Sequence, residues 1–291
     1  MAPTARKIKG PSFREFVRGG TLSVVREGPA ARGVAARAMA AASALFWGLL
    51  FFGLIDLAVP VDETPGFYES YLLETGWGVL YTFIVGAAFL SLTARPRIVM
   101  PLVQAAIAAV CLSVTAVAAG SWVQLVPGSL LALNCYACWA LARAEARWPS
   151  DWYRLGMDPV VGVVALALVP PAVMFAVDMV MGYREGRAPR DDDTWGIDHW
   201  PTQAALGLAT AAVAVAVAAG ARGRWTGTGV SGGCVAVAAG WFGYWSTVYP
   251  DHAGSAGEAW GMALIAWACV FLGVVGWRLT TRRAHNRHDE T

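Results

Sequence analysis

The chain has 291 residues, 57% of them hydrophobic and only 14% charged, with a net charge of +2 and a mean hydropathy of +0.50. Soluble domains carry about 25% charged residues, so nearly half the usual charge is missing, and what remains lies between apolar runs long enough to cross a ~30 Å hydrocarbon core. That excludes an ordinary soluble domain. No phosphate-cradling glycine loop, heptad seam or nucleic-acid motif is present, so nucleic acid is not an expected partner.

Residues 1–40 carry eight Lys/Arg against Glu15 and Glu27, and glycines and prolines interrupt any long helix. This stretch is expected to be a basic cytoplasmic tail, suited to anionic lipid or to a cytoplasmic protein. It is too long and too charged for the n-region of a cleaved signal peptide. A short amphipathic helix fits residues 13–25.

Eight apolar spans follow within 41–279, which predicts an all-α, polytopic transmembrane helical bundle. They are expected at 41–59, 76–92, 98–119, 122–142, 160–181, 202–219, 229–248 and 259–277. The fifth should kink at Pro170-Pro171. Whether the third and fourth are separate helices rests on a turn at Gly120-Ser121. Residues 280–291 form a short cytoplasmic C-terminal tail.

Charge sets the threading. With the N-terminus inside, nineteen of the 22 Lys/Arg fall in cytoplasmic segments, and only Arg184, Arg187 and Arg190 lie outside. Lys/Arg asymmetry is what orients spans, so the expectation is a cytoplasmic-membrane protein with both termini cytoplasmic. Trp77, Trp122, Trp195, Trp200 and Trp260 should then form an outer aromatic belt. Trp139, Trp148, Trp152, Trp225 and Trp277 should form an inner one.

A four-plus-four repeat is a further possibility. Asp56 near the end of span one and Asp178 near the end of span five each precede a long acidic outside loop. Four spans per half would make such a repeat parallel.

The five cysteines all fall in or beside apolar runs, so no outside disulfide framework is available. Cys135-Tyr136-Ala137-Cys138 is a CxxC, but no basic neighbour lowers a thiol pKa there, and packing is its expected role.

The groups able to carry chemistry are few. Asp56 and Asp178 are the carboxylates inside apolar spans. A charge at that depth is costly unless paired or hydrated, so such a residue marks a proton or cation site, unless its side chain simply reaches headgroup water. Glu74, Asp198 and Glu258 each precede a helix running inward, where a carboxylate caps free N–H groups and meets the positive end of the helix dipole. His199 follows Asp198, and His252 follows Asp251, in two outside loops. Imidazoles with acidic neighbours suit acid–base work or an open zinc or copper site, although no recognised ligand spacing occurs. No cofactor is otherwise evident; a bound metal ion at His199 and His252 is the one candidate. Interfacial histidine is the plainer reading.

Three functions fit these residues. The first binds or transports a cation, proton or small polar ligand at an outward-facing site of Asp56, Glu74, Asp178, Asp198, His199, Asp251, His252 and Glu258. The second is a membrane-embedded enzyme using carboxylates for acid–base chemistry on a lipid or isoprenoid. The third is a non-catalytic membrane partner subunit.

Overall fold

Inside a bilayer, backbone N–H and C=O groups must find partners within the segment, so apolar runs fold as helices. The computed structural model describes residues 29–61, 71–96, 98–142, 156–187, 193–223 and 225–288, and 86% of the structure is helical. The expected tail helix at 13–25, the rest of residues 1–28, Trp148 and Trp152 lie outside the described residues, whereas residues 29–40, expected as tail, are helical and bury Ala36 and Ala40.

Helix α1 (Pro29–Leu45) continues as a π-helical stretch, Phe46–Leu50, before α2 (Gly53–Ala58). Helix α3 (Tyr71–Val79) passes through a second π stretch, Leu80–Gly86, into α4 (Ala87–Ala94). Then come α5 (Val99–Ala119), α6 (Leu125–Ala142) and α7 (Pro159–Arg184). A two-stranded hairpin of β1 (Asp193–Thr194) and β2 (Ile197–Asp198) precedes α8 (His199–Gly223), α9 (Thr228–Val248) and α10 (Glu258–His288).

Among the described residues seven segments are long and apolar enough to cross a membrane, consistent with a multi-pass membrane protein. They are Gly33–Leu50, Leu72–Ala94, Val99–Ala119, Trp122–Ala142, Pro159–Arg184, His199–Gly223 and Glu258–Thr281. Helix α9 has a similar length, 21 residues, but its glycines, serines, threonines, tyrosine and tryptophans dilute its apolarity.

The third and fourth spans are separate helices. Gly120 adopts φ 78°, and its N–H bonds the carbonyls of Ala116 and Val117, closing α5. Helix α7 continues through both Pro170 and Pro171. The cysteines are free; Cys111, Cys135 and Cys138 are buried.

The first span departs from expectation. Instead of one helix over 41–59, it breaks at Phe51 and Phe52, and Phe52 takes the left-handed φ of 63°. A side chain on the next residue, Gly53, would meet the Trp47 carbonyl at 2.8 Å. The glycine is therefore consumed by close packing, and the left-handed turn falls on phenylalanine. In the second span, the Gln104 Nε2 donates to the Ile84 carbonyl at 2.6 Å, supporting the π stretch where helical bonding is irregular.

Packing ranks the helices. In α8, 67% of the apolar window is buried inside the protein, against 22% in α10, so α8 is central and α10 peripheral. Small residues permit this, because apolar helices in lipid associate through close backbone approach. Where α9 crosses α10, a methyl on Gly243 would lie 2.8 Å from the Gly261 carbonyl oxygen, and one on Gly261 would lie 2.6 Å from that of Gly243. Two groups of helices pack alike: α1 meets α4 and α6, and α5 meets α4 and α6, while α7 meets α8 and α10, and α9 meets α8 and α10.

At the start of α7, Asp158 is fully buried and caps the helix, accepting from the N–H groups of Val160 and Val161. Pro159 takes the first helical position, where a missing N–H matters least. Arg278 of α10 grips the same carboxylate through Nε at 2.9 and 3.1 Å and Nη2 at 2.7 Å.

Candidate functional site

The break in the first span places Asp56 on the short helix α2, folded against α3. Gly78 makes the contact: a methyl there would sit 2.2 Å from the Leu57 nitrogen and 2.7 Å from the Asp56 carbonyl carbon. Gly78→Ala is therefore expected to push α2 off α3, costing about 1–3 kcal/mol as overpacking does. Faster hydrogen exchange of the α2 amides would register the movement; unchanged protection there would show that the contact does not hold α2.

Asp56 is buried, 5% exposed, and its Oδ2 has no hydrogen-bond partner among the described residues. Glu74 of α3 and His199 at the start of α8 lie within electrostatic reach of it. Glu74 is half-buried and His199 is buried. The His199 Nε2 lies 2.8 Å from the Thr194 hydroxyl on β1, and its ring packs against Trp77 at 5.0 Å. Trp77 in turn donates through Nε1 to the Phe51 carbonyl at the helix break, 2.9 Å away.

The hairpin covers this group. Its two-residue turn, Trp195 and Gly196, has φ of 57° and 74°, the doubly left-handed pattern that matches strand twist. The Asp193 Oδ1 accepts from the Gly196 N–H at 2.6 Å. Phe52 and Trp195 are, among the described residues, the non-glycine residues with positive φ, and their rings meet edge-on at 5.4 Å. Trp195 also meets Phe51 at 5.5 Å. Two strained backbones thus share one aromatic contact, and strain of this kind gathers at functional sites.

Of the sequence candidates, Asp56, Glu74 and His199 come together. Asp56 and His199 are buried, at 5% and 2% exposure, and Glu74 is half-buried. Asp198 does not join it: its Oδ2 accepts from the Ser121 hydroxyl at 2.9 Å and the Tyr183 hydroxyl at 2.8 Å. Side-chain donors, rather than helix N–H groups, thus occupy that oxygen. Asp178 is exposed and pairs with Arg187 at 3.1 Å, so its environment differs from that of Asp56 despite the similar local sequence. Asp251 and Glu258 are exposed; Glu258 opens α10, where its charge meets the positive end of the helix dipole. His252 is half-buried against the Tyr249 ring at 4.8 Å. Among the described residues no group of three or more His, Cys, Asp and Glu is placed to hold a metal ion.

The outer belt also changes. Trp122, Trp195 and Trp260 are exposed, whereas Trp77 and Trp200 are buried in the bundle. Three polar side chains within the spans have structural partners: Asn134 accepts from the Trp47 Nε1, Gln124 bonds Thr202, and Gln104 serves the π stretch.

Sequence reasoning set Trp195 in the outer belt and gave Thr194 and Gln203 no separate role. The Gln203 Nε2 donates to the carbonyls of Leu72 at 3.1 Å and Gly254 at 2.8 Å, tying the 249–257 loop to α3. Two signals were available: Trp-Gly between residues able to pair as a hairpin, and a Thr-Gln pair one turn into an otherwise apolar helix. Against protein-family models, curated proteins and solved structures alike, the chain finds no match.

Proposed function

We propose that this is an eight-span protein of the cytoplasmic membrane, with both termini cytoplasmic. Asp56, Glu74 and His199 bind a proton or small cation arriving from the outer face. The Lys/Arg asymmetry supports the orientation. The position of α9 between α8 and α10, joined to them by short connections, supports its being the eighth span. The matching adjacency within the two four-helix sets supports a parallel repeat.

The observation that carries the functional reading is the buried, unpartnered Oδ2 of Asp56 beside a second carboxyl and an imidazole. A buried negative charge needs compensation, and an exchangeable proton or cation supplies it. The π stretches on both sides of the site favour the same reading, because such irregularities concentrate at functional positions. The enzyme alternative needs two acids at a lipid-facing cavity, and the cavity between α7 and α10 has Asp178 alone among its lining residues.

Infrared difference spectroscopy of the protein in lipid nanodiscs tests this. The wild type should show a carboxyl C=O band that changes with pH or monovalent cation, Asp56→Asn should abolish it, and Glu74→Gln should shift it. A band unaffected by Asp56→Asn would end the proposal.

A further inference from the structure

A cavity of about 420 Å³ lies between α7, α8, α9 and α10, away from the Asp56 group. Its wall on α7 is the stripe Ala167, Pro171, Phe175 and Asp178. At 1.5 Å rise per residue the stripe runs about 16 Å, roughly half of a ~30 Å hydrocarbon core and so about one leaflet. The lining is apolar along most of this length, with Asp178 and Ser255 at one end. An elongated apolar slot with a polar end has the form of one lipid chain below its head group.

The polar end has a defined charge pattern. Asp178 pairs with the Arg187 Nη2 at 3.1 Å, and the Arg187 Nε pairs with Glu185 at 3.1 Å. All three side chains are exposed, at 59%, 44% and 53%. One guanidinium thus stands between two carboxylates, of which Asp178 lines the cavity. Arg187 has further donors for a phosphate, and the two carboxylates exceed their single cation by one charge, which suits an ammonium. Trp260, exposed and also lining the cavity, supplies an interfacial ring.

We propose that this cavity binds one chain of a glycerophospholipid whose head group carries both phosphate and a primary ammonium. The phosphate bonds Arg187, and the ammonium meets Asp178 and Glu185. The site is independent of the cation reading at Asp56, and failure of either leaves the other standing.

Native mass spectrometry of the full chain tests it, with phosphatidylethanolamine, phosphatidylglycerol and diacylglycerol of identical chains as probes. Wild type should retain one phosphatidylethanolamine, with phosphatidylglycerol and diacylglycerol each about tenfold weaker, the difference expected from charged hydrogen bonds. Arg187→Gln should weaken phosphatidylethanolamine by about tenfold for the same reason. Ala167→Trp and Ala263→Trp fill the cavity from exposed positions, and both should abolish the retained lipid. Equal retention of the three lipids by the wild type would overturn the proposal without reliance on any variant. Undiminished binding in both tryptophan variants would overturn it as well.

Discussion

Replacing Arg278 with alanine is expected to destabilise the protein by about 3–5 kcal/mol, the usual cost of breaking a buried ion pair from one side. The reason is asymmetry. Asp158 is fully buried, and Arg278 keeps 26% of its side chain exposed, so removing the arginine takes the guanidinium from a carboxylate that cannot reach water. Asp158→Asn should cost less: the amide oxygen still caps α7, and the freed guanidinium can turn toward solvent. Adding Asp158→Asn to Arg278→Ala should therefore recover part of the loss. Arg278→Lys should fall between, because an ammonium lacks the planar fork that holds both carboxylate oxygens. Thermal unfolding in detergent reads these differences, since 1 kcal/mol moves Tm by about 2–4 °C in a domain of 150–250 residues. Equal midpoints for wild type and Arg278→Ala would show that the pair does not bind α10 to α7.

Trp77→Ala is the second large effect, expected at about 3 kcal/mol. Core Trp→Ala changes cost about 3–5 kcal/mol, and the lower end applies because in lipid the loss is one of packing more than of transfer from water. Trp77 is fully buried. Its ring lies 5.0 Å from both Phe51 and His199 and 4.8 Å from Tyr81, and its N–H closes the helix break at Phe51. Truncation opens a void beneath the Asp56 group and frees an unpaired carbonyl. Trp77→Phe should recover most of the packing but not the hydrogen bond. An interfacial belt residue would behave differently, with alanine costing little. A drop in Tm of only a degree or two for Trp77→Ala would return Trp77 to the belt.

Two tryptophans show where a sequence stops being legible. Trp77, Trp200 and Trp260 each lie two or three residues after a carboxylate (Glu74, Asp198 and Glu258) at the mouth of an apolar run. The first two are buried and the third is exposed. Nothing in the local pattern separates them; what does is whether a neighbouring helix approaches. Gly182 shows this for Trp200, since a methyl there would lie 2.3 Å from the indole. Asp56 and Asp178 repeat the lesson. Both interrupt an apolar run ahead of an acidic loop, but Gly78 draws α2 against α3 and encloses Asp56, while Asp178 stays at the surface with Arg187.

The candidate site was half legible. Asp56, Glu74 and His199 stood out as rare ionisable groups near span ends. Their meeting did not, because it depends on the break at Phe52, and that break looks in the sequence like uninterrupted span. The hairpin of Asp193–Thr194 and Ile197–Asp198 was concealed for a similar reason: four residues of strand are too few to alternate visibly.

By itself the sequence determined that the chain is a membrane helical bundle and where its rare charges stand. These follow residue by residue, since the bilayer tests each segment for apolar length and internally paired backbone. Only the tertiary structure decided which carboxylates are enclosed, which tryptophans are core, and that Arg278 reaches Asp158. Helices in lipid gain little from apolarity when they meet one another, so their arrangement is settled by glycine-sized gaps and single hydrogen bonds between residues far apart in the chain.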